Sequence, residues 1–264
     1  MQQIKVDNAT VSIYENRIQM GQSAAEEAIA QIKKILNEQP EINIVFAAAP
    51  SQNEFLDTFS KADDVDWHRI NAFHMDEYIG LPDNAPQRFG NYLKKHIFGK
   101  HPFKSVHYLR GNAPDIDRET IRYADLLMKN PVDIVLMGIG ENGHIAFNDP
   151  PVADFNDPQW VKTVRLDHAC RMQQVNDKCF ATLDDVPQYA VTLTVPALFA
   201  GKYLFCMVPS RLKAPAVRDA LTGEISEACP ASILRRHKNA RIYLDRDSFS
   251  LVDTEKISKY GEAS

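Results

Sequence analysis

The chain has 264 residues, 44% hydrophobic and 25% charged, with a formal net charge of −5. This is the balance of a globular protein, and it argues against a nucleic-acid or membrane surface as partner, while a local positive site for a small anion stays open. No apolar run approaches the roughly 20 residues of a membrane span, and the N-terminal stretch "MQQIKVDNATVSIYENRIQM" has no apolar leader core.

Short β-branched runs alternate with longer helical patterns. Strands are expected at Ile42–Ala47, His68–Phe73, Ser105–Leu109, Val132–Met137, Val161–Arg165, Ala190–Thr194, Tyr203–Val208 and Arg241–Leu244. Helices are expected at Ser23–Asn37, Ser51–Lys61, Gln87–Ile97, Asp117–Lys129, Ser210–Leu221 and Pro230–His237. The alternation predicts an α/β fold, a mostly parallel sheet with helices on both faces. No linker or repeat interrupts it, so residues 1–264 read as one domain. The loop-like stretch Asp149–Gln159, "DPPVADFNDPQ", is a candidate flap. The four cysteines (Cys170, Cys179, Cys206, Cys229) show neither Cys-x-x-Cys nor zinc-ligand spacing, as expected of reduced thiols in a cytosolic protein.

The segment "DIVLMGIGENGHIAFNDPP" (Asp133–Pro151) contains G-x-G-x-x-G at Gly138, Gly140 and Gly143 after an apolar strand. A dinucleotide fingerprint needs a long helix after the third glycine, and Pro150 and Pro151 leave barely two helical turns. The second strand with its terminal acid is missing too. What remains is a glycine turn at the C-terminal edge of a strand, suited to a small anion or simply a tight βα connection.

Other residues add chemistry to that edge. His144 sits among Glu141, Asn142 and Asp149, which can fix its tautomer. Asp76 and Glu77 end another strand in "NAFHMDEYIGLP", where a pair of acids is either a cap, a solvated turn or a functional base. In "FAAAPSQNEFL" the small residues allow close backbone approach, and Ser51 reads as an N-cap with free N–H groups behind it. Lys213, opening a late helix, supplies positive charge. A base, a histidine and a phosphate cradle on strand-end loops describe a sugar-phosphate enzyme.

Together "FAAAPSQ", "FHMDEYIGL", "LRGNAPDID", "GIGENGHIAFNDP", "VPQYAVTLTVPAL" and "PSRLKA" resemble the glucosamine-6-phosphate deaminase/isomerase family over nearly the whole chain. The resemblance implies a modified Rossmann-like domain without dinucleotide. It also implies aldose–ketose isomerisation of an amino-sugar 6-phosphate with loss of ammonia, using no metal or cofactor. It assigns Asp76 as the base between C2 and C1 and His144 as the ring-opening histidine, with Asn142 and Asp149 beside it. Ser51, Gly138 and Lys213 match substrate-phosphate positions, with Glu77 and Lys178 as further substrate-binding candidates. The family's usual acid two residues before the histidine is Asn142 here, its glutamate five residues after is Asp149, and its phosphate-binding arginine falls near Lys178. Related 6-phosphogluconolactonases carry a similar glycine–histidine loop, so a lactone hydrolase is the alternative, as is a sugar-phosphate-binding protein without catalysis. The implied partner is a small sugar phosphate in the cytoplasm; the oligomeric state, including a homo-oligomer, stays open.

Overall fold

The computed structural model describes residues 1–256. Its strands are β1 (Gln2–Val6), β2 (Ala9–Tyr14), β3 (Ile42–Phe46), β4 (Ile70–His74), β5 (Asp76–Tyr78), β6 (Ser105–His107), β7 (Ile134–Met137), β8 (Val161–Arg165), β9 (Tyr189–Leu193), β10 (Tyr203–Val208) and β11 (Ala240–Asp245). Its α-helices are α1 (Arg17–Glu38), α2 (Asn53–Phe59), α3 (Phe89–Leu93), α4 (Ile116–Lys129), α5 (His168–Asn176), α6 (Val195–Phe199), α7 (Ala214–Thr222) and α8 (Arg246–Phe249).

Every residue of β3, β4 and β7 is buried, the pattern of strands covered on both faces. They lie at the centre of an eight-stranded sheet ordered β1-β2-β11-β10-β7-β3-β4-β6, parallel except for β1. Alternate side chains feed two cores. Val45, Val135 and Val208 pack with Tyr123, Leu198 and Val217 from α4, α6 and α7. Phe46, Leu136 and Phe205 point the other way, against Ile32 of α1 and Phe55 of α2. α1 and α2 approach so closely that a Cβ on Gly21 would lie 2.6 Å from the Glu54 Cβ.

The parallel α/β expectation holds for this sheet, and three local differences matter. The first two strands, β1 and β2, form a hairpin not expected from the sequence. Its two-residue turn, Asp7–Asn8, places Asp7 at φ 49°. Helix α1 begins at Arg17, ahead of the expected Ser23, because the Asn16 side chain accepts the Ile18 and Gln19 N–H groups. β8 and β9 leave the large sheet and join β5 in a three-stranded antiparallel sheet, β5-β9-β8. Strand patterns mark a segment as extended without naming its neighbour. This small sheet covers a third core of Tyr78, Phe147, Val164, Leu166, Cys170 and Phe180. Met75 joins the two sheets: its N–H donates to Phe46 O (3.2 Å) and its carbonyl accepts from Leu193 N (2.8 Å).

Candidate active site

Parallel β3 and β7 are neighbours, yet the chain leaves β3 toward β4 and arrives at β10 from β7 on the other side. Such a switch point opens a crevice at the strands' C-terminal ends. Ala47–Ala49, Ser51 and Gln52 line it after β3, Met75 and Asp76 after β4, and Gly138–Gly140 and His144 after β7. Lys213, after β10, closes it with Phe89, Phe147, Gln173 and Gln174. Thus Asp76, His144, Ser51, Gly138 and Lys213 meet in one crevice.

The glycine loop is built around the histidine. A Cβ on Gly140 would fall 2.1–2.4 Å from three His144 ring atoms, so only glycine admits the ring at this position. Gly140 N–H donates to His144 O (2.9 Å), which closes the loop on itself, and Gly143 turns at φ +82°. No helix follows before β8, as the prolines required. Gly138 sits where a Cβ would be 3.3 Å from Ser51 Oγ, so this backbone and that hydroxyl border the same small space.

Asn142 and Asp149 stand behind His144 and do not line the crevice. The Asp149 carboxylate accepts from Asn142 Nδ2 (3.0 Å), which turns the Asn142 carbonyl toward the histidine. His144 Nδ1 lies 2.7 Å from Asn142 Oδ1 and 3.0 Å from Asp149 Oδ1. Both partners only accept, so Nδ1 carries the proton and Nε2 is left as the free acceptor of the neutral ring. Burial pushes the Asp149 carboxyl up, but the hydrogen bonds from His144 and Asn142, with the positive charge His144 carries when protonated, outweigh it and hold the group low.

Asp76 is in the opposite condition. It is 7% exposed, and burial followed by the neighbouring Glu77 charge raises its carboxyl well above the ordinary carboxylate range. His74 anchors the backbone here: its Nδ1–H donates to Asp76 O (2.9 Å) while Nε2 accepts from Leu109 N (2.9 Å). Burial lowers the His74 pKa to about 4, so the ring stays neutral and keeps both bonds. Lys213 is 5% exposed; burial lowers its pKa, opposed by the charges of Asp177 and Glu141.

Three site expectations are corrected. Ser51 caps no helix: it lies inside a 3-10 turn, Pro50–Gln52, and α2 starts beyond it. Glu77 does not face the crevice, because consecutive residues of β5 point to opposite faces. Its carboxylate accepts the N–H groups of Tyr78, Phe89 and Gly90 and lies 3.7 Å from Arg88. Lys178, in the left-handed region at φ 60° just after α5, lines an adjoining cavity with Pro50, Pro86, Tyr92 and Cys179. Nor do residues 150–159 of the expected flap line the crevice. Sequence reasoning missed Gln52, Gln173 and Gln174. Gln52 reaches toward Met137 O and Met207 O at the ends of β7 and β10. The paired glutamines of "RMQQVND" were the signal for the other two, unread because α5 itself was not expected.

A family model described as glucosamine-6-phosphate isomerases/6-phosphogluconolactonase matches residues 15–243. The chain belongs to that family. A glucosamine-6-phosphate deaminase of Bacillus cereus is 36% identical over 187 residues, 71% of this chain and 70% of that protein, and one from Bacillus anthracis matches equally. The solved structure of a monomeric glucosamine-6-phosphate deaminase superposes with a TM-score of 0.81 at 29% identity, covering 91% of this chain and 99% of that one. A 6-phosphogluconolactonase from Thermotoga maritima shares the fold at 19% identity and a TM-score of 0.73. The family's description names two chemistries, and this sheet is shared by a protein of each name.

Proposed function

We propose that the protein is an amino-sugar-phosphate isomerase/deaminase that converts glucosamine 6-phosphate to fructose 6-phosphate and ammonia. The observation that carries this reading is Asp76: a buried carboxyl, raised in pKa, facing the same crevice as a histidine with a fixed tautomer. Lactone hydrolysis needs a base to activate water but gives no use to a second base able to move a carbon-bound proton. Aldose–ketose isomerisation needs both functions.

In this reading the His144 Nε2 lone pair exchanges a proton with the ring oxygen and hydroxyl of the closed sugar, opening it. Asp149 and Asn142 hold the ring in place and stabilise it while it carries two protons. Asp76, a stronger base than an ordinary carboxylate once ionised, takes the C2 proton and returns it at C1; the amine leaves C2 as ammonia after water adds there. Ser51, the Gly138 backbone and Lys213 receive the 6-phosphate, with Lys213 supplying the charge. Glu77 keeps β5 in register and acts on Asp76 through its charge, without touching substrate. The setting is proposed to be cytoplasmic; among the described residues no helix is long and apolar enough to cross a membrane.

The test is a side-by-side assay of ammonia release from glucosamine 6-phosphate and hydrolysis of 6-phosphogluconolactone. Ammonia release at a catalytic rate supports the reading, and lactone turnover without ammonia overturns it.

A further inference from the structure

One side chain at the back of the crevice has no part in the proposed reaction. Cys170, on α5, is 1% exposed, and its thiol sits beside Asp149. A His144 ring nitrogen, an Asp149 carboxylate oxygen and Cys170 Sγ all lie within 4.8 Å of one another, and His144 Nδ1 is 3.0 Å from Asp149 Oδ1. Asp149 Oδ2 is buried with no hydrogen-bond partner of good geometry among the described residues. We propose that these three side chains form a binding site for a thiophilic divalent cation of the zinc class, which switches the crevice off reversibly.

The donor set is nitrogen, oxygen and sulfur, the combination such ions take in four-coordinate geometry. Bond lengths of 2.0–2.3 Å around zinc set neighbouring ligand atoms roughly 3.3–3.8 Å apart. His144 Nδ1 and Asp149 Oδ1, at 3.0 Å, need to open slightly, and the thiol needs to close by no more than about 1.5 Å. The charges also balance. A dication with one carboxylate, one thiolate and a neutral imidazole sums to zero, which suits a buried site. On binding, the thiol releases its proton to solvent. Burial and the Asp149 charge raise the Cys170 pKa, and a dication at contact reverses that preference. With only three protein ligands and a proton to displace, the site is built for reversible occupation, unlike the closed four-ligand sites that hold structural zinc.

The inhibitory consequence follows from the tautomer and rests on the role proposed for His144. Without metal, Nδ1 carries the hydrogen and Nε2 accepts. A metal on Nδ1 forces the single ring proton onto Nε2, converting the acceptor that faces the sugar into a donor. The Asp149 carboxylate is withdrawn from the ring at the same time. The crevice keeps its shape and its phosphate-binding groups and loses its base.

Titration of the protein with cadmium, followed by thiolate-to-metal charge-transfer absorption, tests the site without relying on activity. The expected result is one equivalent bound with that absorption, and a fall in affinity of at least about 10–100-fold in Cys170→Ser. Cys179→Ser serves as the control for the more exposed thiol and should titrate like the parent protein. In parallel, zinc should suppress ammonia release by the parent, a chelator should restore it, and whatever activity Cys170→Ser retains should resist zinc. If Cys170→Ser fails to fold, Cys170→Ala, which fits the same small core, takes its place. Binding that persists unchanged without Cys170, or no charge-transfer band in the parent, overturns the proposal. Loss of the deaminase reading alone would leave the spectroscopic result standing.

Discussion

Replacing Asp76 by asparagine should make the protein inactive and more stable at once. The substitution keeps the side chain's shape and removes its basic oxygen, so turnover of glucosamine 6-phosphate should fall by about 10²–10⁴-fold, the usual worth of a positioned base. The phosphate-binding groups are untouched, so KM should hardly move. Stability should change in the opposite direction. Because burial and Glu77 raise the Asp76 pKa in the folded state, the folded protein holds this proton more tightly than the unfolded chain does. That contribution to stability is complete below the unfolded carboxylate pKa and is lost as pH rises through the folded pKa. Above it, the native state carries a buried charge that the unfolded chain solvates freely. Each unit of difference is about 1.4 kcal/mol, and each kcal/mol moves the melting temperature of a chain this size by roughly 2–4 °C. Asp76→Asn should therefore melt higher than the parent near pH 7, and the gap should close toward acid pH. Kinetics and thermal melts at several pH values check both halves. Normal turnover would remove Asp76 from the chemistry, and a lower melting temperature near pH 7 would refute the account of its buried charge.

Lys213→Met should raise KM for the 6-phosphate substrate while leaving binding of unphosphorylated glucosamine unchanged; an equal loss for both would point to misfolding. Gly140→Ala pushes a methyl into the His144 ring, and a displacement of that kind should cost about 10²-fold in kcat, with the fold retained by circular dichroism. Asp149→Asn should lower kcat and also flatten the acid side of the stability profile. The depressed Asp149 pKa contributes stability above the unfolded carboxylate range, and this is lost as pH falls through the folded value. Urea titrations near pH 7 and near pH 3 should show the variant's deficit only at the higher pH.

The sequence carried the fold's centre openly because buried parallel strands are runs of apolar residues: "INIVF", "IVLM" and "YLFCMV" needed no partner to be recognised. It carried β1 and β2 poorly, since "QQIKV" alternates with only one fully buried residue, and it gave no indication that β8 and β9 belong to a separate sheet. In the crevice, Asp76 and His144 were legible as titratable residues beside turns at strand ends. Glu77 was assigned to the substrate because two adjacent acids look alike in sequence, whereas a strand sends them to opposite faces. Ser51 was read as a cap, yet Pro50 places it inside a short turn. Lys178 falls near the family's phosphate-binding arginine in sequence, and the left-handed turn after α5 carries it into the neighbouring cavity. Cys170 offered no motif at all: its relation to His144 and Asp149 arises only when α5 packs behind the glycine loop.

The claim at the centre of this account is that Asp76 and His144 act on one amino sugar in one crevice. Ammonia and fructose 6-phosphate, quantified together from glucosamine 6-phosphate, test it most directly. The parent protein should release them in equal amounts, and Asp76→Asn should reduce both by the same factor. Turnover of the sugar phosphate without ammonia, or product formation that survives the loss of the Asp76 carboxylate, would contradict it.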